Sequence, residues 1–119
     1  MHKCLLAALL VMLLTGCNRG IGHVQKTVPH GDAEAGRQAI IAYGCGSCHV
    51  IPDVSESYVG PPLGEYAQRH YVAGNLPNTA ENLIEWIQNP QAIEPGTAMP
   101  NLNVTEIDAR NMAAYLYSK

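Results

Sequence analysis

This sequence is short of the material from which a small protein usually builds its core. Among its 119 residues there is no phenylalanine and one tryptophan, and charged residues make up only 14%. The 47% hydrophobic content is inflated by a leucine block near the start, so the part that folds has few bulky side chains to bury. Its length allows at most one small domain, and a small core generally needs a staple. Lysine occurs only at positions 3, 26 and 119, there is no basic run, and the formal net charge is −3. That excludes nucleic acid and anionic membrane surfaces as partners held by charge. A disulfide framework is not expected either, because Cys4 lies in the leader, Cys17 at its end, and Cys45 and Cys48 have a spacing of their own. Catalytic constellations are also missing: there are no paired acids with a base, no Gly-rich phosphate loop and no nucleophile elbow. A small-molecule substrate is therefore not expected.

What is present is one five-residue stretch, Cys45-Gly46-Ser47-Cys48-His49. Two thiols at this spacing can add to the two vinyl groups of a haem, and the histidine beside the second thiol can then bind the iron. Zinc would require four ligands, yet no cysteine follows Cys48 and only His70 follows His49. A redox dithiol needs no histidine at the next position and would normally follow a strand. One covalently attached haem c is the expected cofactor, and its apolar macrocycle would serve as the missing core.

Residues 1–16 read as an export signal. His2 and Lys3 precede an unbroken apolar run from Leu5 to Leu14, which at ten residues is too short to span a bilayer of about 30 Å. Leu14-Thr15-Gly16-Cys17 is similar to a bacterial lipobox, so Cys17 is expected to be acylated and to hold the protein on a membrane. Residues 17–30 contain Gly20, Gly22 and Pro29 without sustained periodicity and read as a lipid-anchored linker. His23 and His30 belong to it as solvated side chains. The expected location is the extracytoplasmic, periplasmic face of a bacterial cell envelope.

Residues 31–119 form the expected domain. Asp32 caps a first helix with an apolar face of Ala33, Gly36, Ile40 and Ile41, and that helix delivers the cysteine motif just past its end. Val50 to Val59 reads as a loop, and Gly60-Pro61-Pro62-Leu63 as a rigid segment. Such a segment is either a simple turn or a means of setting a backbone carbonyl against the second nitrogen of His49. Glu65 to His70 reads as a short helical turn and Tyr71 to Pro77 as a loop. Asn78 or Thr79 caps a second helix, with Leu83, Ile84 and Ile87 inward, and Pro90 stops it. Pro90 to Pro100 reads as extended and carries Met99. In the last helix Val104 can staple, Thr105 caps, Asp108 stands at the capping-box position, and Met112, Tyr115 and Leu116 form the apolar face.

Taken in order, Gly31-Asp32 with Gly36, the Cys45–His49 motif, Gly60-Pro61-Pro62-Leu63, Leu83-Ile84-Glu85-Trp86-Ile87, Thr97-Ala98-Met99-Pro100 and Ala113-Ala114-Tyr115-Leu116 resemble a class I monohaem cytochrome c. The resemblance implies an all-α fold, a small cytochrome c fold of three to four helices wrapped around the haem. It implies that the first and last helices cross at a glycine–aromatic contact matching Gly36 and Tyr115. It also implies that Pro61 orients His49, that Met99 is the second axial ligand, and that Arg69 and Trp86 bond a haem propionate. Met112, at core spacing in a helix, reads as a packing methionine, and His70 as a surface histidine. The chain departs from the family in lacking both a lysine ring and an aromatic on the first helix, where Ile40 takes its place.

His/Met ligation would leave the iron six-coordinate, so the expected function is electron transfer and not enzymatic bond chemistry. The order of the later motifs further resembles short bacterial cytochromes associated with haem-copper oxidases. The resemblance thus implies a membrane redox partner, either a terminal oxidase or an upstream quinol-oxidising complex. The alternatives are a haem sensor or small peroxidase-like enzyme with a displaceable Met99, and a structural subunit that only docks an oxidase.

Overall fold

A computed structural model describes residues 25–119. The leader, Cys17 and His23 lie outside the described residues. Four helices carry the described chain: α1 (Ala33–Ala42), α2 (Ala80–Gln88), the single turn α3 (Pro90–Ile93) and α4 (Glu106–Tyr117). Two short 3-10 turns, Cys45–Ser47 and Tyr66–Gln68, interrupt the connections. Where loops were expected there are two small antiparallel hairpins. β1 (Val50–Ile51) pairs with β2 (Ser55–Glu56), and β3 (Tyr71–Val72) pairs with β4 (Leu76–Pro77). Two-residue strands leave too few alternating positions for a period-2 pattern to show in a sequence.

Each long helix starts at a side-chain cap. Asp32 accepts from the amides of Glu34 and Ala35, Thr79 from that of Asn82, and Thr105 from that of Asp108. These bonds satisfy amides that have no partner inside the helix. Asp108 does not close the expected capping box. Its carboxylate instead accepts from the Thr105 hydroxyl and from the Tyr43 hydroxyl at 2.9 Å, which ties the end of α1 to the start of α4.

The most extensive helix contact is between α1 and α4, the expected crossing of first and last helices, and α2 packs on α4 as well. At the crossing Gly36 meets the backbone of Asn111 and Met112. Tyr115, expected as the aromatic partner there, sends its hydroxyl to Pro52 O at 2.6 Å. The Asn111 side chain adds a cross-link by accepting from the Asp32 amide. The core comprises Ile40, Leu83, Ile84, Ile87, Met112 and Leu116, with Ile51 and Val72 from the hairpins. Ile41, expected on the apolar face, is 46% exposed, and Ala39 is buried in its place. The buried line of α1 is thus Gly36, Ala39 and Ile40.

Two other expectations are corrected. Pro90 does end α2, but it also begins α3, because its missing N–H costs nothing at the first helical position. The stretch from Pro90 is therefore helical before it becomes irregular. The packed chain also begins before residue 31: Val28 is buried, Lys26 Nζ donates to Arg69 O at 2.9 Å, and Arg110 donates to Pro29 O. The last residues of the expected linker lie against the domain.

Candidate functional site

The cysteine motif emerges from a specific helix ending. The Tyr43 amide reaches Ala39 O and the Gly44 amide reaches Ile41 O, with Gly44 at φ +75°, where a side chain would be strained. The chain then tightens into the 3-10 turn, and the amides of Cys48 and His49 both reach Cys45 O, at 3.2 and 3.1 Å. This turn brings Cys45, Cys48 and His49 to the wall of one cavity of about 620 Å³. Burial pushes the Cys45 thiol above its ordinary pKa.

His49 is fixed through its Nδ1, which lies 2.7 Å from Pro61 O. A carbonyl can only accept, so Nδ1 carries the proton and Nε2 keeps its lone pair for a metal. The loop that supplies this carbonyl comes very close to the ring. A Cβ built on Gly60 would lie 2.6 Å from His49 Cε1, so only glycine allows the approach. The Gly60 amide donates to Cys48 O at 2.6 Å and the Leu63 amide to Val50 O at 2.8 Å. Ser55 Oγ holds His49 from its other side through His49 O.

Met99 lines the same cavity from the segment after α3. Its backbone is held at both ends: Gln91 Nε2 donates to Met99 O at 2.7 Å, and the Met99 amide donates to Thr97 Oγ1 at 3.2 Å. Met112 also reaches the cavity, but from within α4 and almost wholly buried, as a packing residue would be. Pro61, Arg69 and Trp86 line it as well. Arg69 is engaged in a way the sequence did not suggest. Its guanidinium donates to Pro62 O and Gly64 O and lies 4.7 Å from the centre of the Tyr66 ring. His70 is exposed and lies off the cavity, and His30 is exposed. Cys17 is outside the described residues, so of the expected site residues it alone has no described position.

A haem fits this cavity on three observations. Its walls are mainly aliphatic and aromatic, including Ile40, Leu83, Trp86 and Leu116. Two free thiols stand at the attachment spacing on one wall. A nitrogen donor and a thioether, a donor pair that suits haem iron, reach the same space.

Two residues with a part in the site were not singled out from the sequence. Gly60 was read only within a rigid segment, although its doubled proline was a cue to a shaped backbone. Asn78 was read only as a helix cap, yet it is buried and central. Its Nδ2 donates to Tyr66 O and Arg69 O, and its Oδ1 accepts from Tyr117 OH at 2.7 Å. Nothing local in the sequence marks that role. Burial drives the Tyr117 hydroxyl up to about 12, with Tyr66 and Glu81 adding to the shift, and burial also raises Tyr66.

Comparison with known proteins gives a consistent picture. A family model described as cytochrome c matches residues 33–119. Among curated proteins the chain is similar to cytochrome c oxidase subunit 2 of Alkalihalophilus pseudofirmus, 34% identical over 87 residues covering 72% of this chain and 25% of that protein. It is also similar to the protein of the same name from Bacillus subtilis, 25% identical over 87% of this chain and 30% of that one. The chain thus spans only about a quarter to a third of the length of these relatives. Among solved structures it resembles cytochrome cH from Methylobacterium extorquens, with TM-score 0.56 and 28% identity over 75% of this chain and all of that one. Cytochrome c2 from Rhodobacter capsulatus is similar at TM-score 0.52 and 25% identity, over 74% of this chain and 97% of that one.

Proposed function

The chain belongs to the cytochrome c family, with one covalent haem c as its cofactor, and on that premise we propose that it is a membrane-tethered, His/Met-ligated electron carrier serving a respiratory haem-copper oxidase. The observation that carries the ligation is the state of His49. Its Nδ1 proton is committed to Pro61 O, which leaves Nε2 free in a cavity that Met99 also lines.

Cys45 and Cys48 would hold the group covalently, and His49 and Met99 would bind its iron. The bound haem c supplies a one-electron redox centre. The chain's own residues set its working conditions. Pro61 O makes the imidazole a stronger donor by taking its Nδ1 proton in a hydrogen bond. Met99 presents a thioether, which disfavours the oxidised state and raises the potential relative to a second histidine. Gln91 and Thr97 restrain the Met99 backbone at the edge of the cavity. The mainly apolar walls would give the group a low-dielectric surrounding.

The oxidase as partner is supported by the names of the similar proteins, and the tether by Leu14-Thr15-Gly16-Cys17. A weakly charge-dependent encounter follows from the scarcity of basic side chains. Each of the five among the described residues is engaged within the chain. Lys26 and Arg69 reach carbonyls near the cavity, Arg37 and Lys119 reach Asp53, and Arg110 reaches Pro29 O and Glu106. From Cys17 onward six basic residues face ten acidic ones, a net charge of −4. Long-range attraction, which salt screens over about 8–10 Å, has little to work with here. Confinement by a lipid anchor supplies proximity instead.

The test is stopped-flow oxidation of anchored and truncated protein by native membranes, at low and high ionic strength. Electron transfer should depend strongly on the anchor and weakly on salt. A steep loss with salt in the anchored form, with no penalty for truncation, would overturn the tethered reading. Rapid CO binding by the unmutated reduced protein would instead favour a ligand-binding haem protein.

A further inference from the structure

The Gly60–Gly64 segment carries the carbonyl that orients His49, yet it is poorly equipped to hold itself. Pro61 and Pro62 have no N–H, so neither can anchor the segment by donating. Its own amide ties are at the edges, Gly60 to Cys48 O and Leu63 to Val50 O. Between them the segment is held by acceptance. Arg69 donates to Pro62 O, next to the carbonyl that bonds His49, and to Gly64 O at 3.3 Å.

Arg69 is itself fixed at every part. Its guanidinium rests over the Tyr66 ring, and its amide donates to Tyr66 O at 3.2 Å. Its carbonyl accepts twice, from Asn78 Nδ2 at 3.0 Å and from Lys26 Nζ at 2.9 Å. Asn78 is in turn held by Tyr117 OH from α4 and by its own amide on His70 O. A continuous set of bonds therefore runs from α4 and from the chain entering at Lys26, through Arg69, to the Pro61–Pro62 pair and His49.

We propose that Arg69 is a positioning residue for His49, clamping the proline pair so that Pro61 O stays on the His49 Nδ1 proton, with Asn78 and Lys26 holding the clamp in place. The inference rests on the reading of His49 as the iron ligand, and it assigns Arg69 a task other than charge. The two tasks differ in sign. A cation beside the centre favours the reduced state, so losing it lowers the potential. Loosening the Nδ1–H bond makes the imidazole a poorer donor, which raises the potential.

Both bonds come from one atom, Arg69 Nη2. Arg69→Lys keeps the charge but ends its side chain one bond short of that atom, whereas Arg69→Gln loses both the charge and the reach. Lys26→Met removes one of the two donors on Arg69 O and leaves the guanidinium in place. The experiment measures, in the reduced holoprotein, exchange of the His49 Nδ1 proton by NMR, together with the reduction potential. Exchange should accelerate about tenfold in both Arg69 variants, the factor that corresponds to losing one charge-assisted hydrogen bond. The potential of Arg69→Lys should rise, and Lys26→Met should show a smaller acceleration in the same direction. Wild-type exchange in Arg69→Lys and Lys26→Met, with a lowered potential only in Arg69→Gln, would overturn the proposal and leave Arg69 a charge. Absence of a covalent haem spectrum from the wild-type protein would count against the function proposed above, whatever the variants do.

Discussion

Gly36 of α1 and Asn111 of α4 meet backbone to backbone. A Cβ built on Gly36 would stand 1.9 Å from Asn111 O and 2.4 Å from Asn111 C. The atoms in the way are main chain of a capped helix and cannot swing aside as a side chain could. A mid-helix glycine costs about 1 kcal/mol relative to alanine, so the position accepts a local loss for a close crossing.

Gly36→Ala should therefore destabilise the protein by about 1–3 kcal/mol or more, against the direction of helix propensity. Denaturant unfolding of the holoprotein measures it. A neutral or stabilised variant would show that the helices can part without loss.

Met99→Ala and Met112→Ala should separate the two methionines of the cavity. The first should lower the potential and open the reduced protein to CO while costing little stability. The second, in a nearly inaccessible α4 position, should cost about 2–5 kcal/mol and leave the ligation spectrum intact. An unchanged potential and spectrum in Met99→Ala would remove Met99 as the ligand.

Tyr117 predicts an alkaline limit. Its pKa rises from 10.0 unfolded to about 12 folded, chiefly by burial. Between these values the unfolded chain releases the proton that the folded one keeps, so stability falls as pH rises through this window and is intact below it. The Tyr66 hydroxyl, also raised, adds a loss of the same sign. Tyr117→Phe should be less stable at neutral pH, by about 0.5–1.5 kcal/mol for the lost bond to Asn78 Oδ1, and should lose stability less steeply above pH 10. Denaturant midpoints across the alkaline range decide it, and parallel curves for the two proteins would contradict the assignment.

Cys17→Ser should abolish acylation, and mass spectrometry of the mature wild-type protein should show added acyl mass. A mass equal to chain plus haem would end the anchor proposal. Because Lys26 is already bonded to the domain, the free spacer of the proposed anchor would be residues 18–25, shorter than the stretch to residue 30 read from the sequence. Lengthening it should change the rate of electron transfer to the membrane partner.

What the sequence determined by itself was local. The attachment motif, the caps Asp32, Thr79 and Thr105, and the inward faces of α2 and α4 were all legible because each depends on residues within a turn or two of one another. A mid-helix Gly36 signalled a close crossing, since a glycine there needs a compensating contact. Only the tertiary structure decided the rest. The crossing at Gly36 set which face of α1 is buried, so Ala39 and Ile40, three and four residues on, lie inside and Ile41 turns outward. Pro90 became a start as well as a stop, which depends on the direction the chain takes after α2. The partners of Arg69 lie five and seven residues away on an irregular backbone, and Asn78 joins Tyr66, Arg69 and Tyr117 across separate elements. Hydrogen bonds to backbone carbonyls leave no trace in a sequence, because every residue has a carbonyl. Which one faces a donor is settled only when the chain has folded.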